Sequence, residues 1–139
     1  MITSTDILPD GSELSADLAV IGGGPAGIAI AIEVANNGFD VVLVESGYEE
    51  FDPSNQQLAE ASEWNTALHA PISMSVRRQL GGTSTIWGGR CVPYDRIDFE
   101  RRDHISNVTW PVTYDELLPY YQRACSWLQC GRQHSIRRR

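Results

Sequence analysis

No apolar run in this 139-residue sequence approaches the roughly 18 to 20 residues that a membrane-crossing helix needs, which excludes a membrane partner of that kind. Cysteine is scarce too. Cys91, Cys125 and Cys130 are too few and too scattered for a disulfide framework, and with neither a CxxC spacing nor a paired histidine they make no zinc site. Basic residues are missing from Met1 to Asp17, which carries Asp6, Asp10, Glu13 and Asp17, whereas a secretory signal needs a positive head before an apolar stretch. The expectation is a cytoplasmic protein, in which the sequon Asn107-Val108-Thr109 never meets a glycosylating enzyme. Basic residues are also short elsewhere: Arg132, Arg137, Arg138 and Arg139 crowd the end of the chain, leaving seven arginines against eighteen acids. A body of that charge repels phosphate backbones, and the basic tail has no interleaved aromatics, so nucleic acid is not expected as a partner. Residues 129–139 read as a disordered basic tail by composition.

What is present is ordinary globular composition, 42% hydrophobic and 21% charged, at a length that suits one domain and no second full one. Residues 1–16 mix Pro9, Gly11 and several Ser and Thr, and read as a loop holding at most one short edge strand. The domain runs over 17–128. It opens with Leu18-Ala19-Val20-Ile21, a short apolar run ended by glycine, the pattern of a fully buried parallel strand. Ile28 to Ala35, with Glu33 as its one charge, suits a helix buried against a sheet. Asn36-Asn37-Gly38 supplies helix-ending residues, and Val41-Val42-Leu43-Val44 is a second β-branched strand closed by Glu45. Strand, turn, helix, turn, strand in about 30 residues is a βαβ unit.

Beyond it, Ser54 and Gln57 fit a capping box for a helix running toward Leu68, after a turn around Asp52-Pro53. Arg90 to Asp103 alternates too irregularly to name. Thr113 and Glu116 make a second capping box, followed by Tyr114, Leu117, Leu118, Tyr121, Cys125 and Leu128 on one helical face. Pro119 inside that helix predicts a kink or a late start.

Gly22-x-Gly24-x-x-Gly27 lies between the first strand and the first helix, the context in which this pattern binds dinucleotides. Gly22 permits the tight turn, Gly24 leaves room for a pyrophosphate against the backbone, and Gly27 lets helix and strand pack closely. The phosphates meet the helix amino terminus, where unpaired N–H groups and the helix dipole favour negative charge. Glu45 stands 18 residues after Gly27, where a carboxylate can accept from both ribose hydroxyls and repels a 2'-phosphate. This motif disfavours NADP but does not separate FAD from NAD.

A second glycine-rich stretch, Leu80-Gly81-Gly82-Thr83-Ser84-Thr85-Ile86-Trp87-Gly88-Gly89-Arg90, packs glycine pairs, hydroxyls, a tryptophan and an arginine together. Glycines let backbone approach a ligand, hydroxyls and N–H groups suit phosphate or flavin edges, and Trp87 offers a flat apolar wall. With the Gly22 to Gly27 turn and Glu45, this loop resembles the amino-terminal region of the glucose-methanol-choline (GMC) oxidoreductases, flavoenzymes that oxidise alcohols and sugars. Asp95 to Arg101, Trp110-Pro111-Val112 and Pro119-Tyr120-Tyr121 also look like that region. The resemblance implies an α/β fold, a Rossmann-type βαβ FAD-binding unit with parallel strands, left incomplete. It also implies that Gly22, Gly24, Pro25, Ala26 and Gly27 line the FAD pyrophosphate and that Glu45 with Ser46 takes the adenosine ribose. Gly81, Gly82, Thr83 and Ser84 then approach the pyrophosphate and flavin, with Trp87 and Gly88 near the isoalloxazine. Some relatives attach flavin through a histidine of this loop; Ile86 stands at the equivalent place, so FAD is expected to be noncovalent.

The family runs several times longer and carries its catalytic histidine, with a partner His or Asn, in a segment that nothing here matches. After Leu128 the similarity fades, as a truncated or frame-shifted end would make it. Hydride transfer from a carbinol carbon needs a base for the hydroxyl proton. His69, His104 and His134 follow no pattern that places one over a flavin, so no catalytic residue is assigned. Arg77-Arg78, just before the glycine loop, is a solvated pair or a phosphate contact. The functional expectation is the FAD-binding part of an oxidoreductase of alcohols or sugars, a partner chain being one source of the missing half. The alternatives are an NAD-linked dehydrogenase fragment and a noncatalytic nucleotide-binding remnant. Alone, such a unit should expose apolar faces and be marginally stable.

Overall fold

The computed structural model describes residues 1–60, 65–102, 104 and 109–129. The basic tail from Cys130 onward, with His134, and the asparagine of the sequon lie outside the described residues. The chain forms two compact units, Met1–Gly88 and Gly89–Arg139.

In the first unit β1 (Leu18–Ile21) and β2 (Val41–Val44) pair in parallel, Leu18 opposite Val41 and Ile21 opposite Val44. Helix α1 (Pro25–Asn36) connects them and packs on both strands, which is the expected βαβ unit. The helix begins three residues earlier than its apolar run suggests, because Pro25, whose fixed φ suits the first helical position, enters directly from Gly24. It ends at Asn36, capped by Asn37 with a negative φ, and Gly38 follows with φ of 88°, a conformation that side-chain-bearing residues avoid. Burial falls short of the expected pattern. Of β1 only Val20 is buried, Ile21 is 89% exposed, and no residue of α1 is fully buried. One helix covers one face of two strands, and Ile30, Ile32, Phe39 and Val44 remain exposed.

Residues 1–16 hold one 3-10 turn, Thr5–Ile7, and no strand. Helix α2 is short, Pro53–Gln57, and its cap is Asp52 and not Ser54. Asp52 Oδ1 accepts from the Ser54 and Asn55 amides at 2.7 and 3.1 Å, so Asp52-Pro53 is a helix start where a turn was expected. The chain turns after Gln57, and residues 61–64 of the expected longer helix lie outside the described residues. Helix α3 (Ile72–Ser75) is a single turn.

The second unit has a 3-10 turn at Arg96–Phe99 and helix α4 (Tyr114–Trp127). Asp98 Oδ2 accepts from the Asp95 amide at 2.9 Å, so the Asp95/Asp98 pair holds a turn. The Thr113/Glu116 box forms as read: Glu116 Oε2 accepts from the Thr113 amide at 2.7 Å and Thr113 Oγ1 from the Glu116 amide at 3.3 Å. With that start fixed, α4 begins at Tyr114 and continues through Pro119, so the late start does not occur. Its covered face is Tyr114, Leu117, Leu118, Tyr121 and Cys125, with Leu128 exposed. Phe99, Trp110 and Tyr94 cluster at ring separations near 6 Å, and Phe99 meets Tyr114 edge to face at 5.9 Å. Arg96 lies over the Tyr114 ring and pairs with Asp115 through two bonds of 3.0 and 2.6 Å.

Both caps are acid-sensitive. The Ser54 hydroxyl and then the Asn55 amide hold the Asp52 carboxyl below its ordinary 3.8, and the Thr113 amide and hydroxyl hold Glu116 below 4.5. A lowered native pKa stabilises above the unfolded value and is lost as pH falls through the native one. Helix content by circular dichroism should therefore fall as pH drops below 4.5 and then 3.8. A chain carrying Asp52→Asn and Glu116→Gln should lose less over that range. An identical acid profile for both chains would contradict this assignment.

Candidate cofactor site

The strand-to-helix turn has the geometry its glycines predict. Gly22 has φ of 104°, open only to glycine without strain, and its amide donates to Val44 O at 2.8 Å. At Gly27 a β-carbon would stand 2.0 Å from Gly22 O and 3.3 Å from Val20 Cγ1, so α1 can approach β1 only through glycine. Gly24 differs in kind, since a β-carbon there would meet nothing within 4 Å. No side chain caps α1 at Gly24, and Pro25 has no N–H, so the first turn presents the Ala26 and Gly27 amides with no capping side chain over them. A pyrophosphate fits this place: open space in front of a glycine, at an uncapped helix amino terminus.

The second glycine loop comes to the same place. The Gly81 amide donates to Gly23 O at 2.7 Å, and a β-carbon on Gly82 would stand 3.1 Å from Gly24 Cα and 3.8 Å from Pro25 Cδ. Positive φ at Gly81 and Gly82, 94° and 58°, makes the turn that brings them there. Gly82–Thr85 forms a 3-10 turn, in which Ser84 Oγ donates to Gly81 O at 2.6 Å and Thr85 Oγ1 to Gly82 O at 2.9 Å. These two hydroxyls hold the loop's own backbone. Thr83 is exposed on the same turn, and Trp87 and Gly88 follow it, Trp87 46% exposed.

Glu45 closes β2 and binds within the chain. Its Oε2 accepts from the Gly23 amide at 2.5 Å, and its Oε1 accepts from the Gly47 amide at 2.7 Å and from Ser46 Oγ at 3.2 Å. A carboxylate has about four acceptor positions, so room for a ribose hydroxyl remains while the same group ties β2 to the glycine turn. The two arginines ahead of the loop are both engaged: Arg77 lies 3.3 Å over the Phe51 ring, and Arg78 Nε donates to Asn55 Oδ1 at 3.2 Å. His69 is exposed in the first unit and His104 exposed in the second. Among the described residues no group of three or more His, Cys, Asp and Glu gathers to hold a metal.

Sequence reasoning passed over Gly23, Gly47, Asn55, Gln56 and Gln79. Gly23 is buried under the loop, and at Gly47 a β-carbon would run into the Arg78 and Gln79 backbone. Gly47 was readable as a glycine just past a motif acid; the polar residues join segments distant in sequence and leave no local signal.

The pyridine nucleotide-disulphide oxidoreductase family matches residues 16–118, and the chain belongs to it. Its curated relatives are glucose-methanol-choline oxidoreductases, aligned over their amino-terminal part. It is 32% identical over 120 residues to 6'''-hydroxyparomomycin C oxidase of Streptomyces lividus, covering 76% of this chain and 21% of that protein. It is 26% identical over 129 residues to 2-methyl-1,2-propanediol dehydrogenase of Mycolicibacterium austroafricanum, covering 76% and 23%. To the oxygen-dependent choline dehydrogenase of Rhizobium johnstonii it is 28% identical over 126 residues, covering 79% and 23%. The chain thus spans about a fifth of the length of the curated relatives it matches. No solved structure matches it. Family and relatives together give a flavin or nucleotide cofactor. No helix among the described residues is long and apolar enough to cross a membrane.

Gly24 and Gly27 separate ligand from fold. Gly27→Ala should cost about 1–3 kcal/mol in denaturant unfolding, since backbone must move to admit the methyl group. Gly24→Val should leave unfolding within about 0.5 kcal/mol and abolish cofactor binding. A folded Gly24→Val chain with unchanged affinity would count against this cradle.

Proposed function

We propose that this chain holds FAD noncovalently, as the FAD-binding part of an oxidoreductase acting on CH–OH groups of alcohols or sugars. The observation that carries the reading is the meeting of the two glycine segments: Gly81 bonded to Gly23 and Gly82 set against Gly24. A nucleotide motif alone suits NAD as well as FAD. A second glycine loop, whose residue order resembles that of the flavoenzymes, is seated on the first and supports FAD.

In this reading Gly22, Gly24, Pro25, Ala26 and Gly27 receive the pyrophosphate and Glu45 with Ser46 the adenosine ribose. Gly81, Gly82, Thr83 and Ser84 approach the pyrophosphate and flavin, and Trp87 and Gly88 border the isoalloxazine. Bound FAD supplies a hydride acceptor for a carbinol carbon. The names of the relatives, a hydroxyparomomycin oxidase and dehydrogenases of a diol and of choline, support a hydroxylated substrate. Ile86 at the loop position supports a noncovalent complex. We assign no base within these residues, and the proton acceptor belongs to sequence outside them.

The purified chain should carry or take up FAD, released intact on denaturation, with a Kd at least about tenfold below that for NAD, or 1.4 kcal/mol. Saturable NAD binding without FAD affinity would replace this reading with a nicotinamide-linked one. Flavin that stays with the denatured chain would overturn the noncovalent assignment.

A further inference from the structure

The carboxamide of Gln56, on the last turn of α2, is buried. Its Nε2 donates to Ser73 O at 3.1 Å and Val76 O at 3.0 Å, and its Oε1 accepts from the Arg78 amide at 3.0 Å. Both N–H groups and the carbonyl of one side chain are thus spent on residues 73–78, which lead directly into the second glycine loop. Further along, Arg78 Nε reaches Asn55, Gln79 Nε2 donates to Glu49 O at 2.8 Å, and the Leu80 amide donates to Tyr48 O at 2.9 Å. The Gly81 amide then arrives at Gly23 O. No apolar side chain between 73 and 82 is fully buried, and these hydrogen bonds, with the close backbone contact at Gly47, set the register of this run.

We infer that Gln56 is a positioning residue for the flavin side of the cofactor site. It fixes the segment 73–78 at the distance from α2 that lets Gly81 close on Gly23, and so places the loop that distinguishes FAD from a nucleotide without a flavin. The inference rests on the FAD reading above. Its consequence is selective. ADP lacks the flavin and keeps the Gly22 to Gly27 turn and Glu45, so it depends on Gln56 much less than FAD does.

Equilibrium titrations of the full chain with FAD and with ADP, for wild type, Gln56→Leu and Gln56→Glu, test this. Leucine removes all three bonds; glutamate keeps an acceptor for Arg78 but turns an oxygen toward two carbonyls. Both variants should weaken FAD binding roughly tenfold or more while ADP binding stays within about twofold. Equal loss of FAD and ADP, or unchanged FAD affinity, would overturn the inference. A wild-type chain that binds ADP and not FAD would instead sink the FAD reading itself. If neither variant folds, amide hydrogen exchange of the ligand-free wild type decides: slow exchange at both Arg78 and Gly81 supports the clamp, and fast exchange at Arg78 refutes it.

Discussion

The peptide groups of Gly23 are held from both sides, and the rest of the first unit is arranged around that fact. Its N–H is bound by a carboxylate oxygen of Glu45 and its carbonyl by the amide of Gly81. A β-carbon there would stand 2.9 Å from Leu80 Cδ1 and 3.1 Å from Glu45 Cβ, so the end of β2 and the second glycine loop close directly on its backbone. Three segments separated by dozens of residues thereby meet at one glycine.

That junction matters more here than it would in a protein with a large core. Among the described residues the buried apolar side chains are Val20, Ala59 and Tyr114, and only Val20 belongs to the sheet. A hydrogen bond to a charged acceptor contributes about 1.5–3 kcal/mol, comparable with burying a whole aliphatic side chain. The Glu45 bonds therefore compete in size with the packing of α1 on its strands. The second loop depends on hydrogen bonds as well, here to neutral acceptors: Gln56, Asn55, Gln79 and the Tyr48 carbonyl hold its approach. Polar restraint suits a loop that must approach a ligand through its backbone, since glycines at 81 and 82 have no side chains with which to anchor themselves.

The βαβ unit was legible because its signals are local: two short β-branched runs, a glycine turn and a helix-ending Asn-Gly. The capping box at Thr113 was legible for the same reason, and it determined the start of α4 strongly enough to carry the helix past Pro119. Burial was not legible. An apolar run such as Leu18 to Ile21 signals that a strand prefers cover, while the cover itself depends on elements elsewhere, and Ile21 is 89% exposed. The start of α2 was misread because Asp52 and Ser54 are both good caps, and Pro53, suited to a first helical position, decides for the residue before it. At the site, the glycines and Glu45 were found by motif, but the internal bonds of Glu45, Ser84 and Thr85 and the clamp of Gln56 were not. The Ser84 and Thr85 bonds follow a local three-residue spacing that also occurs in ordinary turns. The Gln56 clamp and the Glu45 bond to Gly23 join residues 17 to 22 apart that no spacing rule links.

The central claim is that the two glycine segments form one site for one ligand. It is tested most directly by following the backbone amides of 15N-labelled protein during a titration with FAD. Amides of Gly22 to Gly27 and of Gly81 to Ser84 should shift together and saturate with a single Kd. Shifts confined to one segment, or two segments saturating at different concentrations, would contradict it.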